Sequence, residues 1–242
     1  MDADFIDDDL MQRNLLLRLL DPATRAALAP HLQRVPLVVR ERLYEVREPP
    51  QWAYFPLSGV VSMVAEMPDS PTSVVEVATV GHEGMIGLPI FLGADLTPGF
   101  AFAQVPGEAL RLPAGALREA TAEPGRLSRV LHRYTQAMLS QVYQATACNR
   151  VHTVHERCAR WFLQTHDRVG ADEFELAAPF VAQMLGEPVA VVRVVTAMLQ
   201  QAGFIRYDGD RLTVTDRRGL EGASCGCYRI VADEYERMAA SA

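Results

Sequence analysis

The chain of 242 residues contains no lysine, and all 23 of its basic residues are arginine. Acidic residues number 30, so the formal net charge is −7, and residues 151–242 carry 10 arginines against 13 acidic residues. Affinity for nucleic acid rests largely on neutralising phosphates, so any DNA-binding surface of this chain has to be a local basic patch. We interpret the missing lysine as the mark of a GC-rich genome.

Other absences narrow the class of protein. No apolar run approaches the ~20 residues of a transmembrane helix, so no membrane association is expected. The N-terminal sequence MDADFIDDDL lacks the basic region of a signal peptide, and the chain has only four cysteines. This cysteine content does not suit a disulfide scaffold, and we expect a reducing, cytoplasmic location.

The motifs of common enzymes are also missing. The sequence contains no nucleophile elbow, no P-loop and no HExxH motif. The strand-rich region 35–113 contains a single histidine, His82, whereas a cupin-type metal centre needs clustered histidines. We therefore expect a protein that is not an enzyme and that holds no cofactor and no metal.

The segment 179–215 predicts a winged helix-turn-helix. PFVAQML has an apolar period of 3.6, Gly186 suits the end of that helix, and Pro188 suits the first turn of a second helix that ends before Gly203. Two short strands around an Asp-Gly turn at 208–210 follow as the wing. The second helix of such a motif normally enters the DNA major groove.

This expected recognition helix begins with the apolar sequence EPVAVV at 187–192. Its periodicity places Val191, Val195, Met198 and Leu199 inward. Polar side chains are the ones that read base edges and phosphates, so Arg193 is the first candidate for a base or phosphate contact, and Val189 or Ala190 can pack on a thymine methyl group. The complete set of candidate DNA contacts comprises Arg193, Thr196, Gln183, Val189, Ala190, Arg206 and Arg211.

Two functions stay open at this point. One is a DNA-binding transcription regulator. The other is a sensor or protein-interaction module on the same scaffold, whose degenerate recognition helix docks on a protein partner. Exposure of the apolar start of the helix would favour the second function, whereas a positive stripe that includes Arg193, Arg206, Arg211, Arg217 and Arg218 would favour the first.

The rest of the chain predicts three regions before the winged helix. Residues 1–9 are expected to be a disordered acidic tail, and short helices follow up to residue 33. Turn-forming residues then separate short strands, which predicts a sandwich, barrel or roll. The expected strands are Val35–Val39, Arg42–Val46, Trp52–Phe55, Val60–Met67, Val74–Val80, Phe100–Val105 and Ala109–Leu112.

A long helix is predicted from Leu127 past residue 144, and the helix is expected to continue over 149–166. A polar loop over 167–175 and an interrupted helix over 220–238 follow. Residues at near-heptad spacing on the long helix predict a dimer seam, and the alternative is a helix that lies on its own domain. The seam candidates are Leu127, Leu131, Tyr134, Met138 and Val142.

The order of these regions, together with four stretches, resembles the Crp/Fnr family of bacterial transcription regulators over residues 12–238. The stretches are YFPLSGVVS at 54–62, GHEGMIGLPIFLG at 81–93, ACNRVH at 147–152 and SCGCYRIVADEY at 224–235. The resemblance implies an α+β fold with a cyclic-nucleotide-binding-like β-roll over 10–120, a dimerisation helix over 121–147 and a winged helix-turn-helix over 148–242. It also implies a homodimer that binds a palindromic operator in double-stranded DNA and responds to a small-molecule effector.

The sequence departs from the cyclic-AMP-binding members of this family. The effector pocket is expected around Gly81, His82, Glu83 and Gly84, where Glu83 takes the place of the residue that binds the ribose. However, no arginine or lysine lies between Arg47 and Arg111 to hold a phosphate, which argues against cyclic AMP as the effector. The sequence does not indicate the effector, the operator sequence, or whether the protein activates or represses.

Cysteine and histidine residues raise one further alternative. Cys148, His152, His155 and Cys158 recur near one face of a predicted helix and could bind zinc, although one straight helix rarely supplies four tetrahedral ligands. Cys225 and Cys227 are too close together for a zinc site unless partners come from elsewhere in the chain. We interpret the residues on the helix as packing or capping residues, and Cys225 and Cys227 as small buried or surface residues. The sequence does not decide whether Cys148, His152, His155 and Cys158 bind a metal.

Overall fold

The computed structural model describes residues 6–67, 70–97 and 99–240. The chain begins with three short helices, α1 (Asp8–Gln12), α2 (Leu15–Arg18) and α3 (Pro22–Leu28), and a 3₁₀ turn over Ala29–His31. The side chains of Asp7, Asn14 and Asp21 accept hydrogen bonds from the backbone at the starts of the three α-helices. The prediction of a disordered tail is therefore wrong for residues 6–9, and residues 1–5 lie outside the described residues.

Seven antiparallel strands form the expected β-roll. They are β1 (Gln33–Leu37), β2 (Arg42–Tyr44), β3 (Trp52–Pro56), β4 (Val60–Met67), β5 (Ser70–Val80), β6 (Gly99–Val105) and β7 (Gly107–Pro113). One sheet has the order β1-β7-β3 and the other has the order β2-β6-β4-β5. A short helix, α4 (Leu88–Phe91), lies between β5 and β6. The strand predictions are confirmed to within a few residues at each end.

Helices connect the roll to the C-terminal region. They are α5 (Ala114–Thr121), the long α6 (Arg126–Val151) and α7 (Val154–Val169). A break separates α6 from α7, because His152 has an extended backbone and Thr153 starts a new helix with a reciprocal capping box to Glu156. The sequence interpretation, which continued the helix through residues 149–166, missed this break.

The winged helix begins with α7, whose apolar side chains belong to its core. It continues with β8 (Glu173–Glu175), α8 (Ala178–Leu185), α9 (Val189–Gln201), β9 (Ile205–Asp208) and β10 (Arg211–Val214), with the strand order β8-β10-β9. Two helices end the described chain, α10 (Arg217–Ala223) and α11 (Cys227–Ala240). The prediction of a polar loop over 167–175 is wrong, since α7 extends to Val169 and β8 adds a third strand to the wing sheet. Strand β8 has three residues, of which only Phe174 is buried, and this alternation of exposed and buried residues is too short to predict a strand from the sequence.

Two apolar cores organise the molecule. The first joins the inner faces of the β-roll to α6 and to Val231, Tyr235 and Met238 of α11. The second is the core of the winged helix, and it also includes Val64, Phe100 and other side chains from the roll. The winged helix therefore packs directly on the β-roll of its own chain.

No single helix in the described part of the chain has the length and apolar content of a membrane span. The pair α8 and α9 together would meet that test by length and composition alone, and the two helices are bent by 112° relative to each other.

The buried face of α6 corrects the expected dimer seam. Leu127, Leu131, Tyr134 and Met138 are at most 5% exposed within the single chain, and Val142 is partly buried against the same core. These side chains pack on the roll and on α11, so they offer no free surface to a second chain. The near-heptad spacing correctly marked an apolar face of the helix, but that face is covered by the chain itself.

Replacing a residue of this face should destabilise the folded chain. We expect Leu131→Ala to lower the free energy of unfolding by about 2–5 kcal/mol, because it leaves a cavity in the first core. Arg133→Ala, at an exposed position of α6, is the control and should change it by less than about 0.5 kcal/mol. Urea unfolding of both variants makes the comparison, and equal effects would contradict the assignment of the two faces.

Candidate nucleic-acid interface and interdomain junction

The two helices of the expected DNA-binding motif have the required geometry. Gly186 ends α8 with a left-handed backbone (φ 66°), and the N–H of Glu187 donates to the carbonyl of Ala182 at 2.9 Å. The axis then turns by 112° into α9, within the range of about 90–120° that is typical of helix-turn-helix motifs. The Glu187 carboxylate also accepts a 2.7 Å hydrogen bond from Arg157, which ties the turn to α7.

The buried face of α9 differs from the sequence prediction. Val192, Val195, Thr196 and Leu199 are buried, whereas Val191 and Met198, which were expected to point inward, are 38% and 53% exposed. The exposed face of α9 is consequently more apolar than the sequence predicts. It comprises Ala190, Val191, Arg193, Val194, Ala197, Met198, Gln200 and Gln201.

Of the expected contact residues on α8 and α9, Arg193 and Ala190 are exposed, and Val189 is partly buried. Arg193 has no ion pair with any other described residue. Thr196 is 7% exposed, and its hydroxyl donates to the carbonyl of Arg193 at 3.1 Å. The prediction that Thr196 contacts DNA is therefore wrong. Gln183 is exposed on the rim of a cleft between α8 and the roll.

The expected contact residues of the wing are exposed, but acidic neighbours offset their charge. Arg211 donates to the Glu173 carboxylate at 3.1 Å and lies 3.9 Å from Glu175, and Arg206 lies 4.0 Å from Glu173. Arg217 pairs with Asp167 at 2.7 Å. Arg193 and the exposed Arg218 are therefore the arginines of this surface that have no acidic partner among the described residues.

The expected effector loop lies at the junction between the roll and α7. Glu83 accepts the backbone N–H of Gly81 and pairs with Arg168 of α7 at 2.8 Å, and both side chains are largely buried. A side chain at Gly84 would place its Cβ 2.6 Å from the hydroxyl of Tyr134, so the loop can approach α6 this closely only with glycine there. His82 and Glu83 border a cavity of about 190 Å³ whose other walls include Arg168, Tyr228 and Tyr235.

Arg168 is the centre of a buried polar network that the sequence did not reveal. Its guanidinium donates to Glu83 at 2.8 Å, to the carbonyl of Gln164 at 2.9 Å and to Gln141 at 3.2 Å. The amide of Gln141 in turn donates to the carbonyl of Thr79 in β5 and accepts from Tyr235 of α11. The network thus joins the roll, α6, the winged helix and α11, and its members are far apart in sequence.

Glu76 forms a second contact across this junction. Its carboxylate accepts hydrogen bonds from Trp161 of α7 at 2.6 Å and from Ser62 of β4 at 2.7 Å. Burial raises the pKa of Glu76 to about 7, although the two hydrogen bonds and the nearby Arg160 and Arg168 act in the opposite direction. The junction therefore contains a carboxyl group that titrates close to neutral pH.

The four residues on one helix that were considered as alternative metal ligands are not brought together. Cys158 is buried in the core of the winged helix, and burial raises its thiol pKa to about 12. Cys148 and His152, at the end of α6, instead lie beside Cys225 and Cys227. The pair Cys148 and His152 is about 75 residues away from the pair Cys225 and Cys227, so helix periodicity could not relate them.

No family model and no curated protein matches the chain. Solved structures do match it. FixK2 from Bradyrhizobium japonicum is 18% identical with a TM-score of 0.69, over 81% of this chain and 98% of that one. A CRP/FNR-family transcriptional regulator from Thermus thermophilus is 20% identical with a TM-score of 0.63, over 79% and 98%. The c-di-GMP-responsive regulator CLP from Xanthomonas campestris is 17% identical with a TM-score of 0.62, over 80% and 99%.

The chain has the fold of the Crp/Fnr transcription regulators. The combination of a β-roll, a long helix and a winged helix-turn-helix expected from the sequence is confirmed at the level of fold. The neighbours from Thermus thermophilus and Xanthomonas campestris are regulators.

The raised pKa of Glu76 predicts a pH-dependent stability. Its value in the folded chain, about 7, lies above the ordinary 4.5, so this group stabilises the folded state fully below pH 4.5. That contribution, up to about 3 kcal/mol at 1.36 kcal/mol per pKa unit, is lost as the pH rises through 7.

Urea unfolding of the wild type and of Glu76→Gln between pH 5 and pH 8.5 measures this effect. The variant should lose part of the decline in stability that the wild type shows toward high pH. Glu41→Gln, which removes an exposed carboxyl group, is the control and should retain the wild-type profile. A Glu76→Gln profile that parallels the wild type would contradict the interpretation.

Proposed function

We propose that this protein is a homodimeric, DNA-binding transcription regulator whose β-roll senses a small effector. The observation that carries the proposal is the helix-turn-helix, in which α8 and α9 are bent by 112° relative to each other and a β-wing follows them, within the Crp/Fnr fold. The proposal includes a cytoplasmic location, because that is where operator DNA is found in a bacterium. It does not include catalysis.

The exposed face of α6 supports the dimeric part of the proposal. Exposed side chains recur there every three or four residues, which is the spacing of a coiled-coil seam. Leu139 is 42% exposed and Tyr143 is 66% exposed, so both apolar side chains lack cover within the chain. The full stripe is Arg129, His132, Gln136, Leu139, Tyr143 and Thr146. We propose this stripe as the dimer contact, in place of the buried seam candidates of α6.

The junction supports the sensing part of the proposal. The loop that contains Glu83 binds the winged helix through Arg168, so a ligand that displaced this contact would release α7 and the helices that follow it. Glu83 is already paired with Arg168, and the described residues of the roll offer no free cation for a phosphate near it. This arrangement supports an effector other than cyclic AMP.

The exposed apolar stripe on α9 favours a second candidate function. Val194 is 61% exposed and Met198 is 53% exposed, and together with Val191 they form a surface that suits a protein partner better than it suits phosphates. In that case the scaffold would act as a sensor that docks on another protein. Binding to DNA distinguishes the two candidates.

Purified full-length protein incubated with fragmented genomic DNA at two salt concentrations tests the proposed function. We expect recovery of a few palindromic sites with an affinity that falls as salt rises. Arg193→Ala should weaken binding to such a site by about 1–3 kcal/mol, since the guanidinium would lose a base contact. Arg118→Ala, an exposed arginine on α5, is the matched control and should bind like the wild type. A folded dimer that recovers no specific DNA in the presence of host extract would favour the protein partner.

Charges on the exposed stripe of α6 should dissociate the dimer. We expect Leu139→Glu combined with Tyr143→Glu to give a folded monomer in light scattering, because four carboxylates would face one another across a two-fold seam. Leu96→Glu, at a leucine of the roll that is 56% exposed, should leave the dimer intact. A dimer that survives the double substitution would place the interface elsewhere.

A further inference from the structure

Four side chains with metal-binding donors meet at the break between α6 and α7. Cys148 and His152 come from the end of α6, Cys225 precedes α11, and Cys227 is the first residue of α11. Their three sulfur atoms and one ring nitrogen all lie within 4.8 Å of one another. The Sγ atoms of Cys148 and Cys225 are 3.5 Å apart, and the Sγ of Cys227 is 3.6 Å from Nδ1 of His152.

We propose that these side chains form a structural site for one thiophilic divalent cation, with zinc as the ion that fits the donors. Three cysteines and one histidine are an established ligand set for tetrahedral structural zinc. A Zn–S bond of about 2.3 Å places the sulfurs of a tetrahedron about 3.8 Å apart. The 3.5 Å between the sulfurs of Cys148 and Cys225 is close to that value. The shorter Zn–N bond of about 2.0–2.1 Å gives a sulfur–nitrogen separation of about 3.5 Å, close to the 3.6 Å between Cys227 and His152. Donors this close enclose a single ion, whereas an iron–sulfur cluster inserts several iron and sulfide atoms between its ligands.

The surroundings of the site support a structural role. Cys148, Cys225 and Cys227 are between 0% and 5% exposed, and partly buried His152 completes the set. In the described part of the chain these cysteines form a buried group separate from the two apolar cores. Little apolar burial therefore holds the α10–α11 connection to the end of α6 at this place, and a bound ion would supply the missing attachment.

The local backbone already presents the ligands. The N–H of His152 donates to the carbonyl of Cys148 at 3.1 Å, which closes α6, and the extended backbone of His152 then directs the chain into Thr153 and the start of α7. The ion would thus link the hinge between α6 and α7 to the last two helices. This site would set the angle of the winged helix, and it does not depend on whether the protein binds DNA.

Binding would involve no change of oxidation state. Three S–H bonds break and three sulfur–metal bonds form, while Nδ1 of His152 donates its lone pair and three protons pass to the solvent. Acidification should therefore weaken the affinity for the ion. The same chemistry predicts that the thiols react more slowly with alkylating reagents once the ion is bound.

Titration of the reduced, metal-free, full-length protein with cobalt(II) tests the proposal. We expect uptake of one ion per chain, with the intense visible absorption of tetrahedral cobalt and a near-ultraviolet band from thiolate-to-metal charge transfer. Zinc should then displace the cobalt and abolish both signals. Elemental analysis of protein purified without chelators should find one zinc ion per chain.

Variants assign the ligands. Cys225→Ser and Cys227→Ser should each lose stoichiometric uptake, whereas Cys158→Ser, which replaces the one cysteine outside the cluster, should retain it. Should the serine variants fail to fold, the wild-type cobalt spectrum decides, because the charge-transfer intensity reports the number of thiolate ligands. The proposal is overturned if the reduced wild type takes up no ion, if it shows no thiolate band, or if folded Cys225→Ser and Cys227→Ser bind like the wild type. The proposal is also overturned if Cys148 and Cys225 form a disulfide and the protein takes up no metal once that disulfide has been reduced.

Discussion

The buried guanidinium of Arg168 is the interaction on which the arrangement of the molecule depends. A charge that is only 6% exposed is costly unless it is paired and hydrogen-bonded, and Glu83, Gln141 and a carbonyl of α7 together meet that need. These partners come from the roll, the long helix and the winged helix. Separating any of them would leave an unpaired charge in a poorly hydrated place, so the three regions are expected to move in discrete steps and not gradually.

The same contact connects sensing to DNA binding in the proposed function. The loop over 81–84 is the expected effector loop. The carboxylate of Glu83 in this loop pairs with Arg168 of the winged helix. A ligand would have to compete with Arg168, and the break at His152–Thr153 provides the place where α7 can change direction relative to α6. The cluster that includes Cys148 and His152 lies at this break, and the titratable Glu76 contacts α7 further along, through Trp161. Protonation and metal loading are therefore expected to influence the same movement.

Local sequence signals predicted the parts of this structure that depend on local physics. Gly186 and Pro188 marked the turn between α8 and α9, and alternating apolar residues marked the strands of the roll. Periodicity also found the apolar face of α6 but could not say what covers it, because a core face and a dimer seam bury the same residue types. Thr196 was selected for its chemistry, and only tertiary packing shows that it is buried. The network around Arg168 and the meeting of Cys148 with Cys225 depend on long-range contacts that have no periodic signature.

In the free protein the winged helix packs against the β-roll of its own chain. Strand β5 is an edge strand of its sheet, and α8 lies against it, so slow hydrogen exchange in both elements reports this packing. Hydrogen–deuterium exchange should therefore be compared in the wild type and in Arg168→Ala, with β7 in the roll core as the internal reference. We expect β5 and α8 to be protected from exchange in the wild type and to lose protection together in the variant, while β7 does not change. Unchanged exchange in β5 and α8, with the variant folded, would contradict this expectation.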